Sequence, residues 1–297
     1  ETPEELSGLL DAVLEAATLV PLDDATRERA IDIVGTGGDR SHSINVSTMS
    51  AIVVAGAGVP VCKHGARAAS SQCGTADVLE ALGVAVELSP EGVKQCVERA
   101  GMGFCLAARY HPAFRFAAPS RREIGVPTVF NLLGPMANPG RVKRQLIGVA
   151  NPMVAERMLA SLRLHGSKSS WVVHGGGLDE LTTTGPSTVL ELRGGQVRTF
   201  SVDPVSLGLA PAISEELVGG TPAFNADVVR RVMAGEQGAH RNIVVLNAGA
   251  GLVVADVASS LEEGVAMAAE SIDSGRANET LTKLITESQA ALAEFGA

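Results

Sequence analysis

Apolar and polar residues form two alternating patterns along the chain, which predict strands and helices in turn from Ile31 onward. Short apolar runs bounded by glycine or polar residues predict strands at residues 31–34, 59–62, 84–88, 103–107, 128–131, 146–150, 170–174 and 243–246. Apolar residues at helical spacing predict helices at residues 46–57, 75–82, 90–100, 152–164 and 226–234, with two more at the end of the chain. Two runs around Gly194-Gly195, at residues 188–193 and 196–201, predict a β-hairpin. This order favours an α/β fold with a central, largely parallel sheet flanked by helices and with ligands at the strand carboxyl ends.

The chain begins with a predicted helix that needs a partner. Thr2 is a suitable N-cap, Pro3 a suitable first helical residue, and Leu6 to Leu14 supply one apolar face. Because an isolated short helix is marginal in water, we expect this one to pack on the rest of the molecule.

Composition limits the classes of protein that fit. A chain of 297 residues can form one large domain or two smaller ones with ample core, and 45% apolar but only 3% aromatic residues predict an aliphatic core. The net charge is −9 and no basic run exceeds two residues, which disfavours nucleic-acid binding. Apolar stretches such as residues 51–61 reach about half the length of a membrane span, so we expect no membrane partner.

The cysteines indicate the compartment. Cys62, Cys73, Cys96 and Cys105 lack the spacing of a metal site and lie in apolar or helical contexts. They predict buried free thiols in a reducing environment, and with no visible secretory signal they favour a cytoplasmic protein.

The most informative segment is a glycine loop after the first strand, Gly35-Thr36-Gly37-Gly38-Asp39, which leads to Asn45-Val46-Ser47-Thr48 at a helix start. Glycines allow a ligand to approach the backbone, and a helix start offers free N–H groups to phosphate oxygens. Asp39 is a candidate acceptor from ligand hydroxyls. An ordinary strand-to-helix turn, with Asn45 as its N-cap and Ser47 or Thr48 as first-turn residues, remains the alternative.

A second loop, residues 63–75, concentrates anion-binding groups. It holds the cations Lys63 and Arg67, two serines and a helix start within 13 residues. The alternative is a solvated loop with incidental charge.

A third loop carries adjacent carboxylates, Asp179 and Glu180, after a strand and a glycine turn. Magnesium prefers a few carboxylates together with phosphates and waters, so this pair is a candidate Mg²⁺ site. An exposed acidic turn is the alternative. A fourth segment, residues 109–123, offers arginines to a carboxylate-bearing substrate, although ion pairs between helices are favoured for Arg109, Arg115 and Arg122.

The stretches GTGGD, NVST, KHGARAASS, FNLLGPMANP and HGGGLDE, in this order, resemble anthranilate phosphoribosyltransferases of tryptophan biosynthesis. The resemblance covers almost the whole chain and implies the nucleoside phosphorylase-like phosphoribosyltransferase fold, a large α/β domain with a small helical one. It implies that residues 1–29, with part of 109–126, belong to the small domain and residues 30–297 to the large one. About 70 family residues would precede residue 1, by the usual size of such domains. Since the family's dimer contact lies in the small domain, the full-length protein is expected to be a homodimer.

The resemblance also implies a role for each matching residue. Phosphoribosyl pyrophosphate is expected to contact the two glycine-rich loops, at Gly35, Gly38, Asp39, Ser43, Asn45, Val46, Ser47, Thr48, Lys63, His64, Gly65, Ala66, Arg67, Ala68, Ala69, Ser70, Ser71 and Thr75. Mg²⁺ is expected at Ser47, Asp179 and Glu180, and anthranilate beside Gly35, Ala66 and Arg121. Lys63 and His64 are the expected catalytic residues.

One position departs from the family motif KHGNR, since Ala66 stands where the asparagine belongs. Alanine cannot hydrogen-bond the anthranilate amine, so acceptor binding is the expected weakness of this chain.

The implied reaction is displacement of pyrophosphate at the ribose anomeric carbon by the amine nitrogen, driven by alignment and charge neutralisation. His64 is expected to position the acceptor rather than to take its proton. Two other functions compete: a pyrimidine-nucleoside phosphorylase of the same general architecture, and a non-enzymatic relative that binds nucleic acid.

Overall fold

The computed structural model describes residues 1–68, 71–126 and 128–296, apart from the side chain of Arg122. Seven strands form one sheet in the order β3-β2-β1-β4-β5-β6-β7. Neighbouring strands from β3 to β5 pair in parallel, while β6 and β7 are antiparallel. The strands are β1 (Ile31–Gly35), β2 (Val61–Gly65), β3 (Met102–Leu106), β4 (Arg144–Gly148), β5 (Ser169–His174), β6 (Ser187–Arg193) and β7 (Gln196–Val202). The predicted α/β class, the largely parallel sheet and the hairpin are confirmed.

Helices flank the sheet. They are α1 (Pro3–Glu15), α2 (Asp24–Arg29), α3 (Val46–Gly56), α4 (Thr75–Leu82), α5 (Pro90–Ala100), α6 (Ala107–Tyr110), α7 (Phe114–Ile124), α8 (Phe130–Met136), α9 (Ala155–Leu164), α10 (Pro222–Met233), α11 (Ala239–Val254), α12 (Leu261–Asp273) and α13 (Arg276–Phe295). Among the residues that the structure describes, no helix is both long and apolar enough to cross a membrane.

Helix α11 corrects the strand predicted at residues 243–246, which lie inside it. Residues 243–254 are all buried, because α11 packs against α3, α12 and the sheet. A Cβ at Gly249 would lie 2.7 Å from Val265 N, so the backbones of α11 and α12 are nearly in contact there. A helix buried on every side loses its polar stripe, and its β-branched run then resembles a buried strand.

Two further strand predictions are wrong. Residues 84–88, all of them described, form no ladder, and their backbone groups bond side chains instead: Ala85 N–H donates to Ser288 Oγ at 3.0 Å, and Leu88 C=O accepts from Tyr110 Oη at 3.0 Å. The apolar alternation at 84–88 reflects burial of Val84, Val86 and Leu88 rather than sheet pairing. Residues 128–131 lead into α8, because Asn131 Oδ1 accepts from Thr128 N–H at 2.9 Å and closes a turn.

The first helix packs as expected. Leu6 and Leu10 are buried in a small core with Leu133 of α8 and Met158 of α9. Whether residues 1–29 form part of a separate domain stays a prediction. The four cysteines are buried and free, as predicted, with Cys62 Sγ and Cys105 Sγ 3.7 Å apart on neighbouring strands.

Candidate active site

The predicted chemistry gathers in one cleft of about 360 Å³ at the carboxyl ends of β1 and β2. The parallel pairing of these strands brings the loops that follow them to the same edge of the sheet. Most of the predicted site residues line this cleft: Gly35, Gly38, Asp39, Ser43, Asn45, Val46, Ser47, Lys63, His64, Gly65, Ala66, Arg67, Ala68, Ser71, Thr75, Asp179 and Glu180. Thr48, buried in the first turn of α3, and Arg121 are not among its lining residues, and Ala69 and Ser70 lie outside the described residues.

The glycine loop lines the cleft and also contacts the acidic pair, Asp179 and Glu180, through Asp179. Gly37 and Gly38 adopt φ of +68° and +80°, a region that glycine occupies without strain. Gly37 N–H donates to Asp179 Oδ2 at 2.7 Å, and a Cβ at Gly35 would lie 2.2 Å from the same oxygen. The loop therefore needs glycine at Gly35 to admit a carboxylate, independently of any phosphate ligand.

Asn45 does not cap α3 in the way that the alternative interpretation of the glycine loop expected. It occupies the N-cap position of α3, but its side chain makes no capping hydrogen bond among the described residues. Its Nδ2 donates to Cys73 C=O at 3.3 Å, and its Oδ1 accepts from Asn225 Nδ2 at 2.8 Å. Asn45 thus connects the first loop to the second loop and to α10. Its side-chain groups are used in these bonds, which compete with capping of α3.

Lys63 lies at the centre of the site and is almost fully buried. Its Nζ donates to Ile33 C=O and, at 3.2 Å, to Ser47 Oγ. Burial lowers the pKa of Lys63, and the carboxylates of Asp32, Glu180 and Asp179 oppose this effect. Its two hydrogen bonds hold the Lys63 amine in a fixed place beneath the loops, unlike a mobile surface lysine.

His64 is a neutral, buried imidazole. Its Nδ1 lies 3.1 Å from Gly134 C=O, and since a carbonyl only accepts, Nδ1 carries the proton. Burial, together with neighbouring His111, lowers the pKa of His64 to about 3. Its Nε2 is buried and has no hydrogen-bond partner among the described residues, in a side chain that lies at the wall of the cleft.

A buried carboxylate supports His64 from below. Asp32 Oδ1 accepts from the main-chain N–H of His64 at 3.1 Å, and its Oδ2 accepts from Asn138 Nδ2 at 2.7 Å. Burial raises the pKa of Asp32 to about 6, against the opposing attraction of Lys63. Asp32 was missed by the sequence reading, because a carboxylate inside an apolar strand run carries no motif.

Asp179 and Glu180 are partly exposed to the cleft and close to each other. Burial, with the negative charge of Asp39, raises the pKa of Asp179 to about 7. Burial and Asp179 raise the pKa of Glu180, whose Oε1 accepts from Ser47 N–H at 3.1 Å. Two neighbouring carboxyl groups repel each other when both are ionised, so a bound cation would stabilise their charged forms.

The donor set fits Mg²⁺ held jointly with a ligand. Three or more histidine, cysteine, aspartate or glutamate side chains in metal-binding arrangement do not occur among the described residues. The carboxylates of Asp179 and Glu180 and the Ser47 hydroxyl would supply only part of an oxygen shell, the kind of site that magnesium prefers when substrate phosphates and waters complete it.

The acceptor side is less complete. Ala66 is exposed in the cleft wall, and only its backbone is anchored, with its C=O accepting from Ala76 N–H at 3.2 Å. Arg121 Nη2 lies 3.4 Å from the side-chain oxygen of Asn131, a cleft residue that the sequence reading did not single out. The second loop offers fewer spare cations than predicted, since Arg67 Nη2 pairs with Glu80 Oε1 at 2.8 Å.

Comparison with known proteins identifies the family of this chain. Residues 27–278 match the model of the "Glycosyl transferase family, a/b domain". The anthranilate phosphoribosyltransferase of Salinispora arenicola is 50% identical over 96% of this chain and 82% of its own length. That of Mesorhizobium japonicum is 48% identical over 96% of this chain and 84% of its own.

Solved structures give the same result. The anthranilate phosphoribosyltransferase from Thermus thermophilus superposes with a TM-score of 0.92 at 43% identity, covering 97% of this chain and 86% of that one. The enzyme from Saccharomyces cerevisiae in complex with phosphoribosyl pyrophosphate and Mg superposes with a TM-score of 0.88 at 29% identity, covering 97% and 81%. This chain therefore belongs to the anthranilate phosphoribosyltransferase family.

Proposed function

We propose that this protein transfers the phosphoribosyl group of 5-phosphoribosyl 1-pyrophosphate to the amine of anthranilate, a step of tryptophan biosynthesis. The products are N-(5-phosphoribosyl)anthranilate and pyrophosphate. The observation that carries the proposal is the double contact of Ser47, whose Oγ accepts from Lys63 Nζ and whose N–H donates to Glu180 Oε1. Ser47, at the helix start that follows the glycine loop, thereby joins the buried Lys63 to the acidic pair in a single cleft.

The pyrophosphate side of the reaction would be served by the two glycine-rich loops. Gly37 and Gly38 let the backbone of the first loop approach phosphate oxygens closely, and Lys63 would supply a positive charge beneath them. At the start of α3, Val46 N–H already donates to Ile44 C=O and Ser47 N–H to Glu180 Oε1. Mg²⁺ held by Asp179, Glu180 and Ser47 would neutralise charge on the leaving pyrophosphate. These residues favour departure of the leaving group without any covalent enzyme intermediate.

The acceptor side would be served by His64 and Arg121. The bond from the anomeric carbon to pyrophosphate breaks as a bond to the amine nitrogen forms, and the amine then releases one proton. Since the pKa of His64 is about 3, it is too weak a base to drive this proton loss at neutral pH. Its Nε2, which is buried beside the cleft without a partner among the described residues, would instead accept a hydrogen bond from the amine when the acceptor binds, and this bond would orient the nitrogen lone pair.

Recognition of the anthranilate carboxylate would fall to Arg121 at the edge of the cleft. A guanidinium binds a carboxylate through two parallel hydrogen bonds, and Arg121 contacts Asn131, a residue of the cleft wall. The side chain of Ala66 supplies no hydrogen bond there, so we propose that this protein binds the acceptor more weakly than a protein with asparagine at position 66 would.

The test is a product assay with purified protein, phosphoribosyl pyrophosphate, Mg²⁺ and anthranilate. We expect anthranilate to disappear with equal release of pyrophosphate, and the adduct mass to appear, in reactions that contain every component. Reactions lacking Mg²⁺ are expected to be inactive. A parallel reaction of pyrimidine nucleosides with inorganic phosphate addresses the phosphorylase alternative; cleavage there, without transfer to anthranilate, would contradict the proposal.

We also propose that the full-length protein is a homodimer. Light scattering after size-exclusion chromatography is expected to give twice the subunit mass, and a monomer would contradict this part of the proposal.

A further inference from the structure

A buried asparagine forms hydrogen bonds with the backbone of the residue that directly follows Asp179 and Glu180. Asn247 lies in α11 and is fully buried. Its Oδ1 accepts from Leu181 N–H at 3.0 Å, and its Nδ2 donates to Leu181 C=O at 2.8 Å. The second Nδ2 proton is donated to Ile243 C=O at 2.9 Å, within the same helix. Both N–H groups of the side-chain amide are therefore used, which fixes its orientation.

Leu181 is itself fully buried, so its backbone has no access to water. Buried N–H and C=O groups need partners, and Asn247 provides one for each. Since Leu181 follows Glu180 directly, the two hydrogen bonds tie the acidic pair to α11, the buried helix at the centre of the core.

Close packing restrains the same segment from the other side. A Cβ at Gly148, on β4, would lie 1.6 Å from Asp179 C=O, and a Cβ at Gly175 would lie 2.5 Å from Glu180 C=O. The backbone at residues 179–181 is thus held between the end of the sheet and α11.

We infer that Asn247 is a positioning residue for Asp179 and Glu180: by holding both backbone groups of Leu181, it sets where the two carboxylates stand in the cleft. The inference rests on the proposed function only for what the pair binds, because the positioning itself is independent of any ligand. Asn247 does not line the cleft, so it would act through Leu181 alone.

Two nearly isosteric variants separate the hydrogen bonds from the volume of the side chain. Asn247→Leu removes all three bonds. Asn247→Asp keeps an acceptor for Leu181 N–H, and its buried carboxyl, which stays protonated because an unpaired charge there would be costly, can donate to only one of the two carbonyls. Ser271→Ala is the matched control, since Ser271 is also fully buried and its Oγ donates to a backbone carbonyl, Val53 C=O at 2.8 Å, away from the acidic pair.

The experiment combines amide hydrogen exchange at residues 179–183 with Mn²⁺ binding in the presence of phosphoribosyl pyrophosphate, followed by electron paramagnetic resonance of free Mn²⁺. We expect Asn247→Leu to exchange faster there and to bind Mn²⁺ about 10–100-fold more weakly, the usual effect of losing a residue that supports metal ligands. Asn247→Asp is expected to lie between it and the wild type. The control is expected to match the wild type in both measurements, and KM for anthranilate is expected to stay within about twofold of the wild-type value in all three variants.

A folded Asn247→Leu protein with wild-type exchange at residues 179–183 and wild-type Mn²⁺ affinity would overturn the inference. If that variant does not fold, Asn247→Asp decides by the same two measurements. If the wild type binds no Mn²⁺ or shows no transfer to anthranilate, the proposed function fails, and exchange at residues 179–183 still decides the positioning.

Discussion

The main-chain N–H of Ser47 donates to Glu180 Oε1 at 3.1 Å, across a separation of 133 residues in sequence. Ser47 lies in the first turn of α3, the helix that follows β1, and Glu180 follows β5, so this bond joins two segments that are distant in sequence. Lys63 donates a hydrogen bond to the hydroxyl of the same serine. Ser47 therefore couples the position of Lys63 to that of the Glu180 carboxylate. Changes that displace one of them are expected to affect the others.

Replacing Ala66 with asparagine is expected to raise kcat/KM for anthranilate. Ala66 is exposed in the cleft wall, so the larger side chain can be accommodated, and one added hydrogen bond to the amine corresponds to about a tenfold gain at most. Steady-state kinetics with anthranilate varied at saturating phosphoribosyl pyrophosphate measure the effect. An unchanged kcat/KM would show that this position does not limit acceptor use.

Arg121→Lys is expected to raise KM for anthranilate about tenfold with little change in KM for phosphoribosyl pyrophosphate. Lysine keeps the charge but loses the two-pronged geometry that matches a carboxylate. Arg115→Lys is the control, since Arg115 is exposed on the same helix and stacks over Phe116. Equal effects of the two substitutions on KM would contradict the role of Arg121.

Gly148→Ala is expected to lower turnover about 100-fold, because a Cβ there would lie 1.6 Å from Asp179 C=O and must displace the acidic pair. Overpacking of this kind also costs about 1–3 kcal/mol of unfolding free energy. Turnover and urea unfolding measure the two effects. Gly8→Ala in α1 is the control, since open space surrounds that position and turnover should be retained. Wild-type turnover in Gly148→Ala would contradict the packing argument.

The loops of the site could be predicted because their chemistry is local in sequence. Within a few residues of one another lie glycines, a helix start and neighbouring charges. The alternation of strands with helices makes the strands parallel, which places the loops that follow them at one edge of the sheet. The supports of the site could not be predicted in this way. Asn247 and Gly148 act on residues 179–181 through contacts that only the fold creates.

The errors in secondary structure have the same origin. The run at residues 243–246 is apolar throughout, and burial of α11 on all sides removes the period that identifies a helix. Asn45 is a favourable N-cap by residue type, yet its side-chain oxygen accepts a hydrogen bond from Asn225, 180 positions away, and does not cap α3. Tertiary contacts decided both outcomes against the local preference.

Asp32 is expected to make a pH-dependent contribution to stability. Its folded pKa of about 6 lies above the usual aspartate value of 3.8, so the folded state holds its proton over a pH range where the unfolded state has lost it. The contribution of Asp32 is therefore lost as pH rises from about 4 to about 6, by roughly 3 kcal/mol at about 1.4 kcal/mol per pKa unit. Urea unfolding of the wild type and of Asp32→Asn from pH 4 to pH 8 measures it. A difference between the two proteins that does not change with pH would contradict the raised pKa.

The most direct test of the account is the rate of anthranilate consumption, with phosphoribosyl pyrophosphate and increasing Mg²⁺, by the wild type and by the double variant Asp179→Asn with Glu180→Gln. These substitutions retain acceptors for Gly37 N–H and Ser47 N–H but remove both charges. We expect Mg²⁺-dependent turnover in the wild type, and a loss of more than about 100-fold in a double variant that unfolds at wild-type urea concentration or above. Undiminished turnover in the double variant would contradict the assignment of the metal and of the cleft.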